Sequence, residues 1–300
     1  MFCTNCGTMN LEDARYCEKC GKLLETDVKS LDGELEQNLT SKYELLREIG
    51  RGGMGIVYEA LNIKLGKKVA LKKMKEELAV NPREKMKFLQ EARRVAELHH
   101  PNIVDIYDII EEQNDIFLVF EFIDGKTIEQ IMDSGQQFSV EESIKLITQV
   151  CGALKYAHSR RIIHRDIKPS NIAVDNSGWV KVMDFGIARE AKNTLARITG
   201  KDTSGTLAYM SPEQELGHYD EKSDIFSVGV CLYEMLTAVR PFNGPNFLAQ
   251  KERMAYRKTK ELQPALPDEI DAVINKCLQA DKEKRYNSIE ELVKEFGYCL

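Results

Sequence analysis

The chain is 300 residues long, 43% hydrophobic and 30% charged, with a formal net charge of −6. That is enough chain for one large globular domain or two ordinary ones, and its mild acidity argues against non-specific binding to nucleic acid or a membrane surface. No apolar run reaches the ~18 residues of a membrane span. The N-terminus also lacks a charged region followed by an apolar one, so the chain is expected to stay in the cytoplasm.

Cys3, Cys6, Cys17 and Cys20 open the chain as two Cys-x-x-Cys pairs separated by ten residues, each pair followed by a glycine. In a reducing compartment such thiols read as metal ligands before disulfides. Two thiolates from each turn complete a tetrahedral set for Zn²⁺, and the trailing glycine lets the chain fold back on itself. So short a segment has no core, and the metal would supply most of its folding energy. A redox dithiol pair or an iron site is the alternative; zinc is favoured because no other redox feature accompanies the cysteines. Residues 1–24 therefore resemble a small zinc ribbon. With three acids, three bases and two aromatics, the segment has no basic patch. That argues against nucleic acid and for docking or sensing through a protein partner. Residues 25–42 form a polar linker, in which Leu31, Leu35 and Leu39 also fit one face of a short helix.

A second domain begins at Tyr43. Residues 43–49 read as a strand, followed by Gly50-Arg51-Gly52-Gly53-Met54-Gly55. The β-branched and aromatic run Ile56-Val57-Tyr58 then starts another strand, not the helix a Rossmann turn requires. Gly50, Gly52, Gly53 and Gly55 thus belong to a hairpin flap whose backbone N–H groups can approach a phosphate chain. Lys72 emerges from a third strand, Val69-Ala70-Leu71. Residues 82–98 have helical periodicity, with Phe88, Ala92 and Val95 on one stripe and Glu91 on the same face, where a carboxylate needs a cation. Strands at 103–110 and 116–123 flank a polar turn. Gly125-Lys126-Thr127 is no Walker loop, because the glycine that motif needs is Phe120. A long helix covers 139–159 and carries Cys151 on its apolar face.

The chemistry is densest at 164–186. His164-Arg165-Asp166-Ile167-Lys168-Pro169-Ser170-Asn171 sits on a loop, because Pro169 cannot continue a helix. Two short strands, 172–174 and 180–182, follow around the turn Asp175-Asn176-Ser177-Gly178, and Asp184-Phe185-Gly186 ends the run. The hairpin would bring Asn171 and Asp184 together at its open end. Two oxygen ligands facing the carboxylate of Asp166 suit Mg²⁺ bridging substrate phosphates.

These motifs, in this order, resemble the eukaryotic-like (Hanks-type) serine/threonine protein kinases, in their bacterial style. The resemblance covers about 43–298. It implies an α+β bilobal protein-kinase fold preceded by the ribbon, with a small β-rich N-lobe (43–122) and a larger helical C-lobe (123–300). ATP would occupy the cleft with Mg²⁺ or Mn²⁺. Asp166 would accept the proton of a protein hydroxyl and Lys168 would neutralise the transferred phosphoryl group. Asn171 and Asp184 would hold the metal, and Lys72, paired with Glu91, would grip the phosphates. Val57 and Ala70 would line the nucleotide site, Phe120 would close its back, and Glu121 and Ile123 would offer backbone groups to adenine.

The resemblance also makes residues from Gly186 to Ser211-Pro212-Glu213 an activation loop, with Thr199 and Thr203 as phosphosites and Arg165 as the cation that receives the phosphate. Thr206 would contact Asp166 and Lys168, and Arg285 would pair with Glu213. The buried helix 223–237 would be capped by Asp224, which would also brace the His164-Arg165 turn. The competing reading is a catalytically silent kinase-fold scaffold or nucleotide sensor tethered through the ribbon. Its usual mark, loss of Lys72, Asp166 or Asp184, is absent.

Overall fold

A five-stranded antiparallel sheet forms the first layer of the fold: β1 (Tyr43–Gly52), β2 (Gly55–Asn62), β3 (Lys67–Met74), β4 (Ile106–Glu112) and β5 (Asp115–Glu121), in the order β1-β2-β3-β5-β4. The computed structural model describes residues 39–52, 55–75, 82–112, 115–185 and 204–299, together with Cys6, Thr8, Met9 and Lys19. Cys3, Cys17, Cys20, Gly53, Thr199, Thr203 and residues 25–38 lie outside the described residues, as does the side chain of Thr206.

Strand β5 shows why the sheet is buried on both faces. Phe117 and Val119 point into an outer cluster, while Ile116, Leu118 and Phe120 alternate toward the main core. The outer cluster is closed by Leu39, on the short helix α1 (Leu39–Lys42), which packs with Tyr43, Ala60, Val69 and Leu71 and is only 1% exposed. Burying a leucine in this way contributes about 1.5–3 kcal/mol. Gly55 opens β2 at φ 155°, and a Cβ there would lie 1.9 Å from the Lys73 carbonyl oxygen. Only glycine permits that approach.

The inner face of the sheet packs against α2 (Pro82–Ala96), through Phe88, Leu89, Ala92 and Val95. Proline suits a first helical position, where its missing N–H costs nothing. The chain then crosses to a second sheet, β6 (Gly125–Thr127), β7 (Ile172–Asp175) and β8 (Val180–Val182). Asn102 makes the junction: its side chain donates to Val180 O at 2.9 Å and its carbonyl accepts from Val182 N–H at 2.8 Å. Strand β6 is built from the Gly125-Lys126-Thr127 run, whose residues give no strand pattern in the sequence.

The second lobe is helical. Thr127 and Gln130 form a capping box on α3 (Ile128–Asp133), as Ser139 and Glu142 do on α4 (Val140–Ser159). The sequence elements α5 (Pro212–Glu215), α6 (Glu221–Thr237), α7 (Phe247–Glu252), α8 (Thr259–Leu262), α9 (Asp268–Cys277) and α10 (Ile289–Phe296) follow. Helix α6 is apolar nearly all round and packs against both α4 and α9, so it is the axis of this lobe. Its cap is Asp220, not Asp224: Asp220 accepts from Lys222 N–H, which frees Asp224 to point inward. Cys151, Cys231 and Cys277 are buried core thiols, and burial pushes the Cys151 thiol up to about 12. No helix among the described residues is long and apolar enough to cross a membrane.

Candidate active site

The β7–β8 hairpin places the two oxygen donors. Asp175 Oδ1 accepts the N–H groups of Ser177 and Trp179, each at 2.8 Å, and so closes the turn. With Ile172 opposite Val182, Met183 N–H donates to Asn171 O at 2.9 Å and holds the open end. Asn171 and Asp184 therefore flank one rung of the ladder. Asn171 Nδ2 donates to Asp166 O at 2.8 Å and to Asp166 Oδ2 at 3.2 Å. That leaves Asn171 Oδ1 as the atom for a metal. Lys168 Nζ lies 3.3 Å from Asp166 Oδ2, and the Lys72 ammonium donates to Asp184 Oδ1 at 2.7 Å.

A buried network fixes the loop that carries Asp166. Asp224 Oδ2 accepts from His164 N–H at 2.9 Å and pairs with His158 Nε2 at 2.8 Å; Asp224 Oδ1 accepts from Arg165 N–H at 2.9 Å. Burial alone would raise the Asp224 carboxyl, but His158 and the backbone donors outweigh it and hold the group below the usual aspartate value. For His158 burial works downward, and Asp224 overcomes it, raising the imidazole above its ordinary value. His164 is lowered by burial. As a neutral ring it donates from Nε2 to Met183 O at 2.9 Å and accepts Asp166 N–H on Nδ1 at 3.2 Å.

Above this floor lies a cavity of about 550 Å³, the size of a small-ligand site. Gly50, Val57, Ala70 and Lys72 line it from β1, β2 and β3, Phe120 and Glu121 from the end of β5, Ile123 from the segment just after that strand, and Asp184 from the end of the β7–β8 hairpin. Gly52 and Gly55 flank the β1–β2 turn beside it. The N–H of Glu121 is committed to Asp105 O at 2.9 Å and its carboxylate to Lys181 at 2.7 Å, so that N–H is not on offer to a base.

One expected contact is absent. Glu91 does not pair with Lys72: its carboxylate lies 3.9 Å from Arg165 and 3.9 Å from Arg94. The physical reason is competition. Asp184 already neutralises Lys72 at 2.7 Å, while Arg165 offers Glu91 a cation on the side where α2 faces the catalytic loop. Arg165 is thus held between Glu91 and the ring of Tyr219, 4.2 Å from its guanidinium.

The expected pairing of Arg285 with Glu213 is present. Arg285 is fully buried and binds Glu213 with two nitrogens, at 2.7 and 2.8 Å, while Ser223 Oγ donates to Glu213 Oε1. Burial would raise Glu213, but Arg285 dominates and holds it at about 2. Two neighbours escaped the sequence reading. Lys251 is 0% exposed and reaches Leu207 O at 2.6 Å and the Glu215 carboxylate. Gln214 Nε2 donates to Arg165 O at 2.7 Å. Nothing in their local patterns separates them from surface polar residues.

The geometry has close counterparts. Residues 43–296 match the protein kinase domain family, and residues 2–24 match the zinc-ribbon domain family. The chain is 37% identical over 280 residues to a probable serine/threonine-protein kinase of Streptomyces coelicolor, covering 89% of this chain and 41% of that relative. It is 34% identical over 260 residues to serine/threonine-protein kinase PrkC of Bacillus subtilis, covering 85% and 40%. The chain thus spans about two-fifths of the length of these curated relatives. Among solved structures, the Mycobacterium tuberculosis PknI kinase domain matches with a TM-score of 0.70 at 23% identity, covering 87% of this chain and 97% of that one. Rad53 1–466 in complex with AMP-PNP matches with a TM-score of 0.74 at 25% identity, covering 87% and 66%. On the match over 43–296 and the fold that accompanies it, this chain belongs to the protein kinase family.

Proposed function

We propose that this protein is an ATP-dependent serine/threonine protein kinase that transfers the γ-phosphoryl group to protein hydroxyls. The observation that carries the reading is the pair of clusters at the open end of the β7–β8 hairpin: Lys72 on Asp184 at 2.7 Å in the cavity wall, and beside it Asn171 and Lys168 on Asp166 at 3.2 and 3.3 Å. Hard oxygen donors, few in number, suit Mg²⁺ (or Mn²⁺), and Asn171 and Asp184 would hold it. The bound metal supplies charge neutralisation to the phosphates. Lys72 grips the phosphate chain, Ile123 N–H serves the base, and Phe120 closes the back of the site. Asp166 orients the acceptor hydroxyl and takes its proton, and Lys168 stabilises charge on the moving phosphoryl group.

The pairing of Lys72 with Asp184 and of Glu91 with Arg165 fits a resting enzyme. Phosphorylation at Thr199 or Thr203 would give Arg165 a stronger anion and release Glu91 toward Lys72. Cys3, Cys6, Cys17 and Cys20 would hold Zn²⁺ in a ribbon that docks a protein partner, not nucleic acid. The kinase would act in the cytoplasm, where ATP is abundant and thiols stay reduced. The test is phosphate transfer from labelled ATP to added protein, followed by acid hydrolysis. Label in phosphoserine and phosphothreonine supports the reading, and label in phosphotyrosine alone contradicts it.

A further inference from the structure

Arg165, the neighbour of Asp166, has φ 67°, a left-handed conformation that a residue with a side chain adopts only when its surroundings hold it there. Three contacts do so. Asp224 Oδ1 takes its N–H at 2.9 Å, the Tyr219 ring lies 4.2 Å from its guanidinium, and its carbonyl accepts from Gln214 Nε2 at 2.7 Å. Two of these partners, Gln214 and Tyr219, come from the segment that follows the activation loop. Gln214 is 1% exposed and is held by its neighbours: Glu213 is clamped by Arg285, and Glu215 pairs with Lys251.

The carbonyl of Arg165 and the N–H of Asp166 belong to one rigid peptide plane. Holding the oxygen therefore fixes the N–H that Asp166 donates to His164 Nδ1 at 3.2 Å, and with it the direction in which the Asp166 side chain leaves the backbone. We propose that Gln214 is a positioning residue for phosphoryl transfer: its hydrogen bond to the Arg165 carbonyl aims Asp166 at the acceptor hydroxyl and couples the substrate-docking segment to the base. The assignment rests on the reading of Asp166 as the group that takes the hydroxyl proton. A misplaced base costs rate without costing nucleotide affinity, because the nucleotide cavity is lined by other residues.

The experiment compares the full chain with Gln214→Met and Gln214→Glu. The acceptor is a synthetic peptide copying residues 194–208, phosphate incorporation is followed, and ATP affinity and melting temperature are measured in parallel. Gln214→Met removes the donor and is expected to lower kcat about tenfold, with ATP affinity unchanged. Gln214→Glu places a carboxyl in a buried site, where its pKa rises; once protonated, its O–H can donate to Arg165 O. Its kcat relative to wild type is therefore expected to recover as pH falls from about 8 to about 6, while the Gln214→Met ratio stays flat. The charged groups nearby are Glu213 and Glu215 on α5, paired with Arg285 and Lys251, and Arg165 and Asp224 across the contact. These groups are the same in all three proteins, so their effects cancel in the ratio. A kcat of Gln214→Met equal to wild type overturns this assignment alone. So does a kcat loss in both variants that tracks melting temperature with no pH-dependent recovery. A wild-type chain that binds ATP and phosphorylates nothing overturns the kinase reading, and this assignment with it.

Discussion

Lys72 and Asp184 form a 2.7 Å ion pair in the wall of the cavity, and Glu91, the acid on the facing helix, is left to Arg165 at 3.9 Å. Two cations and two carboxylates thus occupy one of two pairings. If the working enzyme uses the other one, with Glu91 on Lys72, then Glu91→Gln should lower kcat/KM roughly ten- to hundredfold while leaving the resting structure intact. Steady-state kinetics alongside a melting curve checks this. Unchanged kcat/KM would mean that Glu91 never leaves Arg165.

The Glu213–Arg285 pair is a stability element of the helical lobe. Removing Arg285 strands a carboxylate that the guanidinium holds at about 2. Arg285→Met should cost about 3–5 kcal/mol in denaturant unfolding, and adding Glu213→Gln should recover part of that loss. Because the folded pKa lies below the unfolded value of 4.5, the stabilisation is present above pH 4.5 and fades as pH falls toward 2.

The His158–Asp224 pair has the opposite dependence on its histidine side. His158 is raised above 6.5 in the folded chain, so the folded state binds the extra proton. Its contribution is complete below pH 6.5 and is lost as pH rises through the folded value. The melting-temperature gap between wild type and His158→Gln should therefore narrow as pH rises from about 6 to about 9. A constant gap would show that the neutral ring serves Asp224 equally well.

Leu39 lies outside the region matched to the kinase family yet seals the outer face of the sheet. Leu39→Ala should cost about 2–4 kcal/mol, read as a shift in the urea midpoint. Replacing both Cys3 and Cys6 with Ser should release zinc without such a shift, since the ribbon would fold on its metal alone. A shared loss would tie the ribbon to the lobe.

The grouping of the candidate site was legible because its residues are close in sequence: Asp166, Lys168 and Asn171 fall within one loop, and the hairpin returning to Asp184 is announced by its turn residues. The long helix that begins at Ser139 and the apolar helix around Phe226 were equally visible, because both are local patterns. What the sequence concealed were choices between distant partners. Whether Glu91 takes Lys72 or Arg165 depends on where α2 comes to rest, and no local pattern encodes that. Asp224 was expected to cap its helix as well as brace the loop; Asp220 takes the cap because it precedes the first turn and Asp224 lies within it. Gln214 and Lys251 matter through backbone carbonyls, and any residue type can supply a carbonyl.

The most direct test of the kinase assignment is the intact mass of the purified protein before and after incubation with Mg²⁺ and ATP, with Asp166→Asn treated in parallel. The account predicts phosphate on the wild type only, mapped to Thr199 or Thr203. A wild type that binds ATP and gains no mass, alone or with added protein, would contradict it and leave a silent scaffold in its place.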